Sequence, residues 1–196
     1  LIQSFFSDIV NSLANNGARI DARTSDDATP LIWASSQGHQ NVVQTLLIKG
    51  ANLKLKDIHA KTALAHAILQ GHFNTARYLI TKGANINQNL LYAAKRGYQG
   101  MVNFLLDENA DIDYFSSKNE TALRLAFKGK HLETAKTLLQ KGANTSLKNS
   151  QGQSYLMSAV LTGKVDLVKL LLDHSSKNNN TPSEINSTDF LGNTPL

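Results

Sequence analysis

The sequence predicts an all-α solenoid, in which pairs of short helices stack repeat upon repeat and are joined by hairpin-like polar loops. Three observations predict it. A Gly-Ala dipeptide, or a near relative, recurs at fixed register: Gly17-Ala18, Gly50-Ala51 and Gly83-Ala84 lie 33 residues apart, as do Asn109-Ala110 and Gly142-Ala143. Each period holds two helical patterns, which is the signature of a repeat architecture. The hydrophobic share of 41% over 196 residues is modest but sufficient, because a solenoid buries its core repeat by repeat.

The elements follow in order along one predicted domain, 1–196. Residues 1–23 form a partial repeat, with Leu1 to Phe6 read as the remnant of an inner helix and Ile9, Val10 and Leu13 as the apolar stripe of an outer one. Residues 24–56 show the pattern best. Thr29 is a good N-cap and Pro30 suits a first turn, where its missing N–H would be unpaired anyway. Gly38 permits the reversal into a second helix carrying Val42, Val43, Leu46 and Leu47 on one stripe, and Gly50 ends it. Residues 57–87 repeat this with Thr62-Ala63-Leu64 and Gly71-His72. Residues 88–115 are seven short: Gln88-Asn89-Leu90-Leu91 follows Ile86-Asn87 directly, leaving two helices but no room for the polar loop of the other repeats. Residues 116–148 carry Thr121-Ala122-Leu123, and residues 149–188 carry Ser154-Tyr155-Leu156 with a polar insertion at about 174–183, read as a mobile loop. Residues 189–196 begin a further repeat. Both ends read as incomplete, so the expectation is a slice of a longer protein.

Thr29-Pro30-Leu31-Ile32 with Gly38-His39, and its echoes at Thr62, Thr121 and Ser154, resemble the ankyrin repeat along essentially the whole chain. The resemblance implies β-hairpin fingers, two antiparallel helices per repeat, and partners bound on a concave side built from finger tips and inner-helix ends. It also implies a departure. The histidine that ties adjacent turns in the family is replaced by Ile32, Ala65, Arg124 and Met157, so less rigidity is expected.

Several function classes are disfavoured. With no cysteine, disulfides, thiolate metal sites and a cysteine nucleophile are excluded. None of the catalytic or phosphate-binding spacings occurs, and no apolar run is long enough to span a membrane. No enzyme activity, cofactor or metal is expected. His39, His72 and His131 share one repeat position and read as structural. His66 reads as buried beside small residues, and His59 as a contact at a finger tip. Trp33 and Tyr92 read as core between repeats. The absence of cysteine and of a signal peptide fits an intracellular, and by default monomeric, protein.

Carried over by position, the partner-binding candidates are Ser25, Asp26 and Gln37, then Ile58, His59, Lys61, Leu69 and Gln70. Lys95 and Arg96 follow in the fingerless repeat, Lys118, Glu120 and Lys128 in the next, and Gln151 and Gln153 in the last. Lys61, Lys95, Arg96, Lys118 and Lys128 suggest a basic strip that selects an acidic segment of another protein. The same five cations on a chain of net charge +5 are equally accounted for as solvated side chains. Nucleic acid is disfavoured by lysine-over-arginine usage and the lack of a stacking row. The resemblance further implies a possible target of asparaginyl hydroxylation at Asn87. The leading reading is an interaction scaffold serving as a targeting or adaptor module. The alternative is a regulatory or substrate-recruiting region of an enzyme whose catalytic domain lies elsewhere.

Overall fold

The computed structural model describes residues 2–161, 163–177 and 185–195, and of residues 2–6 and 175–177 the backbone only. The described residues form eleven helices and no strand, with a single antiparallel bridge between Lys56 and Thr62. The chain divides into two compact units, Leu1–Asn89 and Leu90–Leu196, and the division falls inside the inner helix of the fingerless repeat.

In the first unit α1 (Ile2–Asn15), α3 (Gln40–Ile48) and α5 (Phe73–Thr81) are outer helices, and α2 (Pro30–Ser36) and α4 (Ala63–Leu69) are inner ones. Inner packs on inner, α2 on α4, and outer on outer, α1 on α3 and α3 on α5. α6 (Ile86–Arg96) crosses into the second unit, which continues with α7 (Gln99–Asp107), α8 (Ala122–Gly129), α9 (Leu132–Gln140), α10 (Tyr155–Leu161) and α11 (Val165–Lys177). There α8 packs on α10, and α9 lies against both α7 and α11.

The helices start where hydroxyls can cap them. The Thr29, Thr62, Thr121 and Ser154 hydroxyls accept the backbone N–H groups of Ile32, Ala65, Arg124 and Met157 at 3.2–3.3 Å. α6 has no finger before it and is capped differently. The Asn85 carboxamide oxygen accepts the Gln88 N–H at 2.9 Å, so the helix begins at Ile86, straight after this cap. The periodic leucines and valines then close each core. Leu31, Val43, Leu46, Leu64 and Leu79 are fully buried in the first unit, and Leu90, Leu105, Leu123 and Leu138 in the second, each stabilising by about 1.5–3 kcal/mol.

Three expectations need correction. Residues 2–6 are not a separate inner helix but continue the outer one, giving α1 its 14 residues. α11 runs to Lys177, so the first part of the expected 174–183 loop is helical; residues 178–183 of it lie outside the described residues. Trp33 is 59% exposed and Tyr92 only half-buried. The core of the first unit forms through the opposite face of α2, which packs on α4, and among the described residues no inner helix covers the Trp33 side. Where the family histidines are missing, other side chains bond between repeats. The Thr62 hydroxyl donates to the Asn89 carboxamide oxygen at 2.9 Å, and the Thr121 and Tyr155 hydroxyls bond each other.

Arg124 supplies the strongest of these ties. Only 2% exposed, it donates from Nη1 to Ser158 Oγ (2.7 Å) and from Nη2 to the Leu147 and Gln153 carbonyls (3.1 and 3.4 Å). Its guanidinium carbon lies 4.4 Å from the Tyr155 ring centroid, and Tyr155 in turn meets Phe127 edge-on. A planar fork with several fixed donors and an aromatic platform suits arginine and not lysine.

Candidate functional site

Five turns of one construction project from the repeats: Thr24–Ala28, Asp57–Lys61, Ser116–Glu120, Asn149–Gln153 and Asp189–Asn193. In each, the first residue's N–H donates to the fifth residue's carbonyl and the fourth residue's N–H to the first residue's carbonyl. The fourth residue is left-handed every time: Asp27, Ala60, Asn119, Gly152 and Gly192. The first residue's side chain closes the turn from inside. Asp57 Oδ1 accepts the His59 and Lys61 N–H groups at 2.9 and 2.8 Å, and Ser116, Asn149 and Asp189 do the same for their own turns. Thr24 makes the shorter version, to Ala28 alone. The second and third residues bear none of this framework on their side chains and are exposed: Ser25 and Asp26, Ile58 and His59, Ser117 and Lys118, Ser150 and Gln151, Phe190 and Leu191. Consecutive tips can be joined by one backbone bond, Ile58 to Asp26 in the first unit and Phe190 to Gln151 in the second.

The structure therefore splits the predicted contact set. Ser25, Asp26, Ile58, His59, Lys118 and Gln151 stand at exposed tips. Lys61, Glu120 and Gln153 are the fifth residues of their turns and half-buried, with their N–H groups committed to the framework. Gln37, Leu69, Gln70, Lys95, Arg96 and Lys128 sit at inner-helix ends, Leu69 the least exposed of them.

His66, read as buried beside small residues, is largely covered at 17% side-chain exposure but also carries a polar contact. Its Nε2 lies 2.8 Å from Asp57 Oδ2, which locks the second finger to α4. Burial raises the Asp57 carboxyl, but the Lys61 N–H, the His66 ring and the His59 N–H together outweigh it and hold the group below its ordinary value. The native state then binds this proton more weakly than the unfolded chain does. Its stabilisation is complete above the ordinary aspartate range, near pH 4, and is lost as pH falls through the lower native value. Thermal melts from pH 7 to pH 3 should show Asp57→Asn less stable than the parent at neutral pH, with the gap closing at the acid end. A gap independent of pH would remove the ionic role.

The histidines after the inner helices act across repeats. His174, inside the outer helix α11, bonds the Leu139 carbonyl of α9 from Nε2 at 3.2 Å, whereas His72 Nε2 donates to the Ser36 carbonyl and His131 Nε2 to the Lys95 carbonyl, each at 3.1 Å. The ring reaches its carbonyl by passing close over a glycine: a Cβ added at Gly38 would stand 2.5 Å from His72 Nδ1, and one at Gly97 2.5 Å from His131 Nδ1.

The cations of the second unit are unequal. Lys128 is paired with Glu120, and the Arg96 guanidinium lies 5.9 Å from the Tyr92 ring centroid. Lys95, Arg96 and Lys118 enter no ion pair among the described residues. Sequence reasoning missed a further member. Lys130, exposed, closes α8 in the left-handed conformation (φ +62°), where other repeats place Gly38, Gly71, Gly97 and Gly163. The displaced glycine one position earlier, in Lys128-Gly129-Lys130-His131, was the available signal. Lys61 belongs to the first unit, whose exposed tips offer the acid Asp26 and no cation.

Two other features complete the survey. Trp33, Ile9, Val10, Pro30 and Val42 line an apolar cleft of about 630 Å³ in the first unit. Asn87 lies in the first turn of α6, half-buried, rather than in an extended loop. Among the described residues no three histidines or carboxylates gather as a metal site, and no helix is long and apolar enough to cross a membrane.

Known proteins repeat this architecture. The family model for ankyrin repeats in three copies matches twice, over residues 2–89 and 90–189. An ankyrin repeat and KH domain-containing protein of Caenorhabditis briggsae is 34% identical over 88 residues, 45% of this chain and 3% of that protein. A counterpart in Caenorhabditis elegans matches to the same extent, and an ankyrin repeat protein of fowlpox virus is 31% identical over 105 residues, 54% of this chain and 14% of its own length. The chain thus spans a small part of the curated relatives it matches. The crystal structure of the human ASB11 ankyrin repeat domain shares the fold over 98% of this chain and 88% of that one, with a TM-score of 0.65 and 21% identity. Capped inner helices, left-handed turns and histidines that bridge repeats are thus set out on a matched framework, and the chain belongs to the ankyrin repeat family.

Proposed function

We propose that the chain is a protein-binding scaffold that engages its partner through finger tips and inner-helix ends, as a targeting or adaptor module of a larger protein. Ankyrin repeats are generally protein–protein interaction modules. The observation that supports the reading most directly is the division of labour within the fingers. First and fifth residues hold each turn, while second and third residues are exposed and contribute only backbone groups to its hydrogen bonds. Contacts at such positions cost the fold little and leave side chains of any chemistry available to a partner.

Within the second unit, Lys95 and Arg96 favour an acidic segment. Affinity capture from a lysate of the source organism, run beside Lys95→Glu/Arg96→Glu, tests this. A protein retained by the parent and reduced about tenfold or more by the variant is expected. Equal recovery by both would move the contact away from α6, and recovery by neither would remove the scaffold reading for this segment.

A further inference from the structure

We infer that the polar cavity left in the first unit by the seven residues missing before α6 binds an extended, carboxylate-bearing segment of another protein, held by Lys54 and the Asn85 N–H. This rests on the scaffold reading and adds to it a contact point apart from the finger tips and inner-helix ends.

Two of the loops are tied to the following repeat by a carboxylate. Asp21 Oδ1 accepts the Asn52 N–H at 3.1 Å, and Asp113 Oδ1 accepts the Asn144 N–H at 2.9 Å. Each acid stands four residues after Gly17 or Asn109 of its own repeat, and each N–H two residues after Gly50 or Gly142 of the next. Between the repeats that begin at Gly50 and Gly83, the same two positions fall to Lys54 and Asn85. An ammonium donates and cannot accept, so this tie is absent. Neither the Asn85 N–H nor the Lys54 ammonium has an acceptor among the described residues. Both residues are exposed, and both line one cavity of about 250 Å³ with Thr62, Gln88 and Asn89. No carboxylate lines it. Asp57, the acid nearest in sequence to Lys54, is engaged by His66 and by the His59 and Lys61 N–H groups. The cavity thus gathers two donors that suit a carboxylate and supplies none.

The space is internal to the sequence. Seven residues fewer separate Gly83 from Gln88 than separate Gly50 from Thr62, so the loop that would run beside Leu53 and Lys54 is missing. The cavity is smaller than the roughly 300–1,000 Å³ of pockets that enclose a whole small molecule. Its single cation would leave most of a phosphodiester strand without a counter-charge. A polypeptide matches more of what is there. Where two finger tips are joined, the third-residue carbonyl of the earlier turn accepts a backbone N–H, as Asp26 does from Ile58 and Gln151 from Phe190. The His59 carbonyl, on the turn that runs into Thr62, accepts none among the described residues, and the next repeat has no turn to offer one. Gln88, exposed at the cavity, adds a carboxamide able to donate and to accept. An extended segment adds to such an open backbone position through its own peptide groups, and its side chains set the selectivity. Here the side chain selected is Asp or Glu, opposite Lys54.

Panning a random dodecapeptide display library on the 196-residue protein, then titrating a selected peptide against variants and by amide NMR, tests the assignment. Enrichment of peptides carrying Asp or Glu is expected. On addition of the peptide the Asn85 amide resonance should move, while that of Asn52, already bonded to Asp21, stays in place. Lys54→Asp should supply within the chain the carboxylate that the peptide brings. The thermal midpoint should then rise by about 2 °C and the peptide weaken about tenfold or more. Lys54→Met removes the charge and adds no acceptor, so it should weaken the peptide about fivefold and shift the midpoint by less than about 1 °C. Peptides that bind both variants as tightly as the parent, or that leave the Asn85 amide unmoved, would overturn this site and leave the scaffold reading standing. Tighter binding of a single-stranded oligonucleotide of equal charge would overturn the polypeptide assignment. Recovery of no binding peptide at all would overturn the site and remove the scaffold reading as well.

Discussion

Arg124→Ala should destabilise the second unit by about 3–5 kcal/mol, the largest single-residue loss expected outside the apolar core. The substitution removes three hydrogen bonds, to Ser158 and to the Leu147 and Gln153 carbonyls, along with the platform contact to Tyr155. It leaves a void beside Tyr155 and two carbonyls short of a donor, each effect separately worth 1 kcal/mol or more. Arg124→Lys keeps the charge but not the fork, and should retain less than half of the contribution. Urea unfolding gives the magnitude, and amide exchange gives the place: protection should fall first in 147–158. A loss below 1 kcal/mol in Arg124→Ala would mean that the network does not bind repeats 116–148 and 149–188 together.

Gly38→Ala should cost about 2–4 kcal/mol, and its partner substitution shows why. Gly38 is left-handed at φ +68° and lies beneath the His72 ring. An alanine there meets both the conformational cost and a 2.5 Å clash, so His72 must swing off the Ser36 carbonyl. Gly71 occupies the same repeat position at φ +76°, but a Cβ there meets nothing within 4 Å. Gly71→Ala should therefore cost only the conformational part, about 1 kcal/mol. The difference between the two variants measures the histidine contact, and combining Gly38→Ala with His72→Ala should recover part of it. Equal losses in the two glycine variants would show that the ring yields freely.

What could be read in the sequence was what is decided locally. Thr29, Thr62, Thr121 and Ser154 cap the helices that follow them within three residues, and glycines end helices through their own backbone freedom, so period and helix placement were legible. The exposed tips followed by register. Features decided by a residue one repeat away were not legible. Arg124 looked like a lost histidine until Ser158 and Tyr155, 34 and 31 positions on, came into contact with it. Trp33 looked like core because its place in a repeat is usually covered, and its exposure depends on which helices lie beside α2. The five-cation strip was a list of positions. Folding pairs Lys128 with Glu120, assigns Lys61 to the other unit, and brings Lys130 to Lys95.

The construction of the five finger turns has a practical corollary. Because an inward-facing Asp, Asn, Ser or Thr and a left-handed fourth residue define each loop, its two outermost letters can be rewritten without renegotiating the rest. Ten positions spread over five loops form an alphabet separable from the grammar that displays it. Under the proposed scaffold reading, a library varied at those sites would change the surface offered to a partner while leaving the side-chain bonds that close each turn in place. If the proposed tip contacts hold, specificity can drift quickly over generations, because those positions are not the ones whose side chains close the turns.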